Sequence, residues 1–535
     1  MSMIVRRRFL QGLAATAGLA GLAACGTGPV GSTTTSGGAQ VPLPAYVPHT
    51  GAAADLKGVA GRSEPVYFSY PSSPQRLHAD PPGDGKPVSA LVISDLAPPS
   101  LAQNPYWQEF NQRLGSPYEP VFSPAADYAN KFATTTAGDE LPDFYLVLPT
   151  TPAIPQLLAA KAADLSDHLS ADEVKAYPGL ANLPTESWRG TVHNGRIMAV
   201  PITRGFTTSW IMYQRLDLLE PLGITEDPKN YEDFVAILTE ATDPAASRWA
   251  LASLPTDFIR QMLTIPNGWS EQGGQFTSAY EHQAQAEALE ASRKIWAAGL
   301  INPDAPATHD SKQREWLLSG TGVFLWNTLS GWGTAAGGGG QVKGYIGSAV
   351  VPPGFTDGSG TPHLGNPNHS IVAINKGSAD RVETLLKIAD WLASPFGTEE
   401  YLFRQYGIEG QHYTLVDGLP QSNPDLAPQR NLGQGYICAP TGALMSPQRE
   451  LITRQHEFET AWTENAVSNP ALGLYSETQS RKGASLDAAI KAVETDIVVG
   501  RRPVSDWQRS VEDYLSGGGN SIKAELAAAF EQQQR

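Results

Sequence analysis

The residue types most capable of chemistry in this chain are its 54 Asp and Glu residues and its 2 Cys residues. A glycosidase needs two carboxylates about 5 to 10 Å apart, but the sequence alone does not single out such a pair. The chain has no G-x-S-x-G, H-E-x-x-H or C-x-x-C motif. Its glycine run at 337–340 lacks the strand, Lys and Ser/Thr context of a phosphate-binding loop. We therefore predict no catalytic residue, no metal site and no cofactor.

Binding is the chemistry that the composition favours. The 12 Trp, 18 Tyr and 16 Phe residues supply aromatic surface for stacking, although most of them must pack in the core. The formal net charge is -16, and no basic run occurs beyond the first ten residues, which argues against a nucleic-acid partner. This overall charge favours an uncharged or cationic small ligand.

The first 25 residues have the parts of an export signal in the right order. Arginines at 6–8 precede an uncharged Ala/Leu/Gly run, which is too short and glycine-rich to span a membrane and ends in L-A-A-C at Cys25. R-R-x-F-L-Q resembles the twin-arginine signal of proteins exported in folded form, and L-A-A-C resembles the lipobox, whose cysteine is acylated. We predict a chain held by lipid on Cys25 at the outer face of the cytoplasmic membrane. The alternative is a plain secretory signal with a chance cysteine.

After cleavage before Cys25, the chain would keep one other cysteine, Cys438, so no internal disulfide is possible. Cys438 is expected to be a small buried apolar residue. Residues 26–61 are rich in Gly, Ser, Thr, Ala and Pro and nearly free of charge, which is typical of a flexible tether.

From Lys86 onward, strand-like and helix-like patterns alternate. Apolar or extended runs at 88–93, 118–122 and 144–148 are separated by helical spacing that begins at Asn104 and again near 128. Asn104 can cap the first helix. The alternation predicts a largely parallel sheet covered by helices, and ligands of such sheets bind beyond the carboxyl ends of the strands. This indicates the loops that follow Ile93 and Leu148.

The stretch N-G-R-I-M-A-V-P-I-T-R-G at 194–205 predicts a change of lobe. It has a turn signal, then a short apolar run suited to a strand, and Pro201 would end that strand. A second α/β unit follows, with helical spacing at 231–238 and 288–295 and strands at 322–326, 345–351 and 370–375. Ser378 is placed to cap a helix, and most of the chain beyond 401 has helical spacing or composition.

Five stretches occur in the order of one family's motifs: G-D-E-L-P-D at 138–143, the crossover at 188–201, a helix-like segment at 213–223, the segment at 320–332, and W-L-A-S-P-F-G-T-E-E-Y-L-F-R-Q-Y-G-I-E-G at 391–410. Together they resemble the family 1 extracellular solute-binding proteins of ABC importers, the maltodextrin-type group.

The resemblance implies an α/β fold of two lobes, the type II periplasmic-binding-protein-like fold, with lobes joined by crossing strands and a helical C-terminal region. The expected organisation is an export signal (1–24), a tether (25–64), the first part of lobe 1 (65–200), lobe 2 (201–355), a return to lobe 1 (356–415), and a mainly helical region that packs on both lobes (416–535).

In the family, the crossover and the 320–332 segment line the ligand cleft. Carried over to this sequence, with the loops after the first and third strands and some looser assignments, the resemblance implies ligand contacts at Trp107, Thr151, Arg204, Thr207, Asp257, Phe258, Trp326, Asn327, Trp332, Asn366 and His369. Aromatic faces would pack on the C–H face of a pyranose, while the polar groups would bond its hydroxyls. For any single Trp, core packing is an equally good interpretation.

The resemblance implies a monomeric receptor that closes by hinge motion on a sugar or oligosaccharide outside the cell. It would deliver the sugar unaltered to the transmembrane subunits of an ABC permease. A secreted, lipid-anchored enzyme of the glycosidase type is the main alternative. A structural cell-wall lipoprotein is a third, and it would not require two closing lobes.

Overall fold

The computed structural model describes residues 41–59, 62–308, 310–340 and 342–534. The predicted export signal, Cys25 and the first part of the predicted tether lie outside these residues. Within them, no helix is long and apolar enough to cross a membrane.

The strands are short and spread over the whole described chain. In chain order they are β1 (Val66–Tyr67), β2 (Val88–Ile93), β3 (Tyr118–Ser123), β4 (Phe144–Val147), β5 (Val192–His193), β6 (Arg196–Ile197), β7 (Val200–Thr203), β8 (Trp210–Arg215), β9 (Trp249–Leu251), β10 (Trp269–Gln272), β11 (Gln275–Ser278), β12 (Gly322–Thr328), β13 (Gly347–Val350), β14 (Asn368–Ile374), β15 (Tyr413–Val416), β16 (Leu419–Ser422) and β17 (Leu444–Met445).

The helices surround the sheets and dominate the last part of the chain. They are α1 (Pro105–Leu114), α2 (Tyr128–Ala137), α3 (Ile154–Lys161), α4 (Ser166–Leu169), α5 (Pro178–Ala181), α6 (Leu216–Leu219), α7 (Tyr231–Ala241), α8 (Thr256–Met262), α9 (Gln285–Ala297), α10 (Asp310–Ser319), α11 (Trp332–Ala335), α12 (Val382–Leu392), α13 (Glu399–Tyr406), α14 (Ala427–Arg430), α15 (Arg449–Thr463), α16 (Ala484–Val498), α17 (Asp506–Tyr514) and α18 (Asn520–Gln534).

The first sheet has the strand order β3-β2-β4-β14-β7. Strands β3, β2 and β4 are parallel, and β14 runs antiparallel to both of its neighbours. Because helices cover both faces, β2 is almost continuously apolar. The predicted cap of α1 is confirmed: the Asn104 side chain accepts a hydrogen bond from the Trp107 amide, and Tyr106, Phe110 and Leu114 bury one face of the helix.

The prediction that Pro201 ends a strand was wrong. Pro201 lies inside β7, opposite Ile371 of β14, and β7 continues to Thr203. Strand β7 is at the edge of the sheet, so the amide that proline lacks has no strand to pair with on its outer side. The chain therefore leaves the first sheet at Arg204.

The second sheet has the order β13-β8-β12-β9. Strand β8 is antiparallel to β12 and β13, and β9 is parallel to β12. Helices α7, α8 and α9 cover one face of this sheet with a core that includes Phe234, Phe258 and Ile295. The segment 213–223, expected to be helical, begins instead inside β8 and becomes helical only at Leu216.

Ser378 does not cap a helix, contrary to the prediction. Its hydroxyl donates to a carboxylate oxygen of Asp143 at 2.7 Å, and it lies in a 3-10 turn, Lys376–Arg381, that precedes α12. The turn is capped instead by Asn375, whose side chain accepts from the Gly377 amide at 2.9 Å, and α12 begins only at Val382, four residues beyond Ser378.

The C-terminal region is mainly helical, as expected, and contacts both sheets. Helix α15 packs Leu451, Phe458 and Trp462 on the face of the second sheet opposite α7 to α9. Helix α16 packs against α9, α17 packs against α16, and α18 packs against β11. Cys438, buried and free, belongs to the core of the first sheet.

The N-terminal residues that the structure describes are docked, so the tether predicted to reach residue 64 is too long. The Val41, Ala45 and Val47 amides bond to carbonyls of the first lobe at 2.7 to 3.2 Å. Further on, β1 pairs with β17. The described chain thus begins against lobe 1 and then joins the C-terminal region.

Candidate functional site

The segments that cross between the lobes connect strand ends that lie on the same side of each sheet, and we call this side the crossing edge. In the first sheet β2, β4 and β7 end at this edge, and the antiparallel β14 begins there. In the second sheet β8 begins at the corresponding edge, beside the end of β12, with Trp210 opposite Thr328. We call the space between these two edges the interlobe groove.

Three segments cross between the lobes side by side: 204–209, 362–368 and 464–467. The Arg204 amide donates to the Pro367 carbonyl at 2.7 Å, and the Gly365 amide donates to the Ser209 hydroxyl at 2.9 Å. The Val467 amide donates to the Pro362 carbonyl at 2.9 Å. These hydrogen bonds make the crossings one narrow, continuous hinge beside the groove.

The first-lobe wall of the groove contains Arg204 and His369. The Arg204 side chain is exposed, and His369 is half-buried with its ring 5.6 Å from that of Tyr436. Burial, and then the charge of Arg204, lower the pKa of His369 below its ordinary value. Its Nδ1 already hydrogen-bonds the Ser370 hydroxyl at 2.9 Å, which leaves Nε2 for a ligand group.

Tyr436 reaches this wall because residues 431–438 lie directly on the end of β2. Gly433 has a φ of 67°, and a Cβ at this position would lie 2.4 Å from Val92 Cγ2. The Asn431 side chain donates to the Ser94 hydroxyl at 3.0 Å. Only glycine permits this close approach, which brings Tyr436 beside His369.

The second-lobe wall presents an aromatic platform. Trp210, the first residue of β8, is 38% exposed, and its ring stacks on Trp326 with centroids 6.4 Å apart and planes 29° apart. Trp326 is 7% exposed and rests in turn on Phe258 at 6.1 Å. The core thus fixes Trp326, which supports Trp210 with one face open to the groove.

Asn327, next to Trp326, carries a buried donor without a partner. Its Oδ1 accepts from the Thr328 amide at 2.8 Å, but its Nδ2 makes no hydrogen bond within the described chain. An unsatisfied buried donor costs about 1–3 kcal/mol. A ligand oxygen at the groove edge would remove that cost.

Some of the predicted contact residues are packing residues instead. Phe258 is 0% exposed, and Trp332 is 2% exposed with its indole N–H donated to the Leu451 carbonyl at 3.2 Å. Trp107 is half-buried against the first core and donates its indole N–H to the Tyr118 carbonyl at 3.2 Å. Phe258 and Trp332 therefore present no free surface to a ligand in this structure, and the indole N–H of Trp107 is already bonded.

The other predicted residues lie at loops and helix starts near the strand ends. Thr207 and Asn366 belong to the crossings, where the Thr207 hydroxyl bonds the Arg204 carbonyl at 2.5 Å and the Asn366 side chain is exposed. Thr151 follows β4 and is half-buried. Asp257, near the start of α8, pairs with Arg260 at 2.6 Å.

Sequence reasoning missed Trp210 and Tyr436. Trp210 had a usable signal, since it is the first residue of an alternating strand directly after the crossover at 204–209. Tyr436 had none, because its place depends on the contact of Gly433 with β2, more than 300 residues earlier in the chain.

Other concave or charged features do not form a competing site. Hollows of about 410 Å³, between α7 and α9, and about 380 Å³, between α16 and α17, lie away from the interlobe groove. Among residues 41–59, 62–308, 310–340 and 342–534, no group of three or more His, Cys, Asp and Glu side chains is suited to a metal ion.

A model of the family described as bacterial extracellular solute-binding protein matches residues 94–399, more than half of the chain. The chain belongs to this family. The match covers the second sheet, the first two crossings and the first sheet except β2, and it ends before the segment 431–438 that carries Tyr436. The resemblance found in the motifs is thereby confirmed.

Two proteins of Bacillus subtilis are similar to this chain over most of its length. Lipoprotein LipO is 22% identical over 83% of this chain and 92% of its own. The polygalacturonan/rhamnogalacturonan-binding protein YtcQ is 22% identical over 68% of this chain and 75% of its own.

The two-lobe fold is confirmed by solved structures. The N-glycan transport solute-binding protein NgtS of Streptococcus pneumoniae superposes with a TM-score of 0.62 at 17% identity, over 84% of this chain and 99% of its own. YtcQ and NgtS are named as binding proteins, and they give no support to the glycosidase alternative.

Proposed function

We propose that this family member captures an oligosaccharide in the interlobe groove and releases it unaltered to an ABC permease. The observation that carries the proposal is the open face of Trp210, supported by Trp326 at the groove edge. An exposed, rigid indole matches the apolar C–H face of a pyranose ring. Arg204 and His369 on the first-lobe wall, and the unpaired amide N–H of Asn327 on the second lobe, would bond sugar hydroxyls.

The named specificities of the relatives agree with a sugar ligand. YtcQ is a polygalacturonan/rhamnogalacturonan-binding protein, and NgtS is an N-glycan transport protein. Both ligands are chains of several sugar units, which favours an oligosaccharide over a monosaccharide here. Because the two ligands differ in sugar type, the comparison leaves the identity of the sugar to the side chains of this groove.

The delivery step and the anchor are part of the same proposal. The family is extracellular, and LipO is a lipoprotein, which supports acylation of Cys25 at the outer face of the membrane. A single receptor molecule would then diffuse next to its permease and present the closed lobes to it. Labelling with radioactive palmitate, in wild type and Cys25→Ser, tests the anchor, and loss of label in the variant is expected.

Titration calorimetry against an oligosaccharide panel tests the binding site. Trp210→Ala should weaken binding about 10- to 100-fold, since it removes an aromatic face that the ligand would bury. Trp249→Ala is the matched control, because Trp249 is a half-buried Trp in the same sheet at the opposite end of its strands, and it should leave the affinity unchanged.

Each outcome of the titration has a distinct meaning. Binding unaffected by Trp210→Ala would place the sugar elsewhere on the molecule. Release of shortened products from the oligosaccharides would indicate an enzyme. Absence of binding to every sugar in the panel would overturn the proposed function.

A further inference from the structure

A short segment, residues 62–67, contacts both lobes at once, and we call it the clasp. The chain before it lies on lobe 1, where the Val47 amide donates to the Ala181 carbonyl at 2.7 Å. The chain after it returns to lobe 1, where the Tyr70 hydroxyl donates to the Thr398 carbonyl at 2.6 Å. Between these two points the clasp is bonded to α15, which packs on the second sheet. The clasp is therefore a link between the lobes that is separate from the three crossings.

The clasp lies along one face of α15. The Thr463 hydroxyl donates to the Arg62 carbonyl at 2.8 Å, and the Glu64 amide donates to a carboxylate oxygen of Glu459 at 3.0 Å. The His456 Nδ1 donates to the Glu64 carbonyl at 3.0 Å. These three side chains of α15 are spaced by three and four residues, so they form a single stripe on the helix. The stripe holds the clasp by hydrogen bonds over two turns.

A different face of α15 fixes this helix to the second lobe. Leu451, Phe458 and Trp462 belong to the core of the second sheet. The Trp332 indole N–H donates to the Leu451 carbonyl at 3.2 Å, and the rings of Trp332 and Phe458 stack with centroids 5.4 Å apart. Any motion of the second lobe therefore carries α15 and the side chains that hold the clasp.

The other end of the clasp is held on lobe 1 with little spare length. The Tyr67 ring stacks on Phe396 with centroids 3.9 Å apart, and Phe396 lies between α12 and α13, whose apolar residues belong to the core of the first sheet. Tyr67 is only three residues after Glu64, and three extended residues span about 10 Å. A displacement of α15 away from Phe396 soon exceeds this length and must break one of the two attachments.

The clasp is in place while the groove is open. Trp210 is 38% exposed and the Arg204 side chain is exposed, so both walls face solvent. Within the described residues, no hydrogen bond, ion pair or ring contact joins His369 or Tyr436 of one wall to Trp210 or Trp326 of the other. The bonds of the clasp to α15 therefore belong to the open arrangement of the lobes.

We propose that the clasp holds the two lobes open and leaves α15 when they close, so that its strength sets the fraction of closed molecules. This inference rests on the proposed function, because closure serves to enclose a captured ligand. A link made in only one of two arrangements favours that arrangement by the free energy of its contacts. Because the apparent dissociation constant rises as the closed fraction falls, the clasp would also set the affinity.

Distances between two spin labels measure the closed fraction without any ligand. Lys131→Cys on α2 and Glu240→Cys on α7 place one exposed label on each lobe. Helix α2 follows the edge strand β3, and α7 packs on the edge strand β9, so both labels are far from the crossings. The labels are introduced in a Cys25→Ser chain, whose remaining cysteine, Cys438, is buried. Closed molecules should give a second, shorter separation.

Two variants weaken the clasp at opposite ends. Thr463→Val removes one hydrogen bond to α15 and should raise the population of the shorter separation about 2- to 10-fold. Tyr67→Ala should raise it at least as much. The next attachment to lobe 1 is then Tyr70, six residues after Glu64, and six residues can span about 20 Å. The double variant should match Tyr67→Ala alone, because a link that no longer opposes closure cannot be weakened further.

The matched controls are Thr460→Val and Tyr46→Ala. The Thr460 hydroxyl is exposed on α15 and donates to the His456 carbonyl of its own helix at 2.8 Å. Tyr46 is 41% exposed and precedes the clasp. Neither substitution touches the link between the lobes, so both should leave the distribution of separations as in wild type.

The results separate this inference from the proposed function. An unchanged distribution in Thr463→Val and Tyr67→Ala, or additive gains in the double variant, overturns the clasp and leaves oligosaccharide capture standing. If Tyr67→Ala does not fold, the nearly isosteric Thr463→Val decides alone. Each sugar of the calorimetric panel that binds should bind about 2- to 10-fold more tightly to Tyr67→Ala than to wild type. If no sugar binds, the proposed function is overturned, and the label distances still decide whether the clasp holds the lobes open.

Discussion

At the scale of single residues, burial decides which of the aromatic side chains can serve a ligand. Trp332 and Trp210 are both on the second lobe and both near the crossings. Trp332 packs between Tyr213 and Phe458, with ring centroids at 5.9 and 5.4 Å, whereas Trp210 has one open face. The difference comes from α15, which covers Trp332 and does not reach Trp210.

Trp332→Ala should therefore lower the stability of the fold rather than remove a contact with the ligand. We expect a loss of about 3–5 kcal/mol in the free energy of unfolding, because the substitution leaves a large cavity between the second sheet and α15. Urea unfolding followed by circular dichroism measures it. Trp210→Ala is the matched variant and should lose no more than about 1 kcal/mol, since its ring is only partly buried. Equal losses in the two variants would contradict the packing described for Trp332.

At the scale of elements, local patterns predicted most helices and strands, and long-range contacts account for the failures. The apolar run of β2 and the Asn104 cap could be predicted because each depends only on residues nearby in the sequence. Pro201 was misread because the sequence does not say that β7 is an edge strand. Ser378 was misread because its acceptor, Asp143, is 235 positions away.

The candidate site was predictable only where one segment supplied it. Arg204 and His369 lie at the predicted crossings, and the family resemblance found them. Tyr436 comes from a segment, 431–438, that reaches the first-lobe wall by packing on the end of β2. No pattern within that segment distinguishes Tyr436 from other tyrosines.

A substitution at Gly365 tests how tightly the crossing segments pack on each other. A Cβ there would lie 2.3 Å from the Thr208 hydroxyl oxygen and 2.6 Å from the Thr208 carbonyl carbon, so two crossings would have to separate. Gly365→Ala should cost about 1–3 kcal/mol of stability and speed hydrogen exchange at the crossing amides. Gly333→Ala is the control, because a Cβ at Gly333 would meet no atom within 4 Å. Unchanged exchange in Gly365→Ala would mean that the crossings are not tightly joined.

At the scale of the whole molecule, residues 62–67, which follow the segment docked on lobe 1, are hydrogen-bonded to the C-terminal region. The Thr463 hydroxyl donates to the Arg62 carbonyl at 2.8 Å, and the Glu64 amide donates to a Glu459 carboxylate oxygen at 3.0 Å. Burial raises the pKa of Glu64 to about 7 and that of Glu459 to about 8. The negative charge of Glu64 also raises the pKa of Glu459.

This carboxyl pair predicts a dependence of stability on pH. Between the ordinary glutamate pKa of 4.5 and about 8, the folded chain holds protons that the unfolded chain has released. The contribution of the pair to stability is therefore fully present at low pH and declines as the pH rises through this window. Glu459→Gln keeps a neutral hydrogen-bonding group, so the fall in unfolding free energy between pH 5 and pH 8 should be smaller than in wild type.

Guanidinium unfolding of both proteins at the two pH values measures the difference. Comparison with wild type cancels the contribution of other titrating groups, such as the histidines. A fall of the same size in Glu459→Gln and wild type would show that the pair is ionised in the folded protein.

The hydrogen bonds that join residues 62–67 to α15 and β17 also affect when during synthesis the protein can complete its fold. The partners of residues 62 and 64 lie 401 and 395 positions later in the chain, so these contacts cannot form until α15 has been made. A fragment truncated before α15 would keep the bonds of residues 41–47 to lobe 1 but would leave residues 62–67 without their partners.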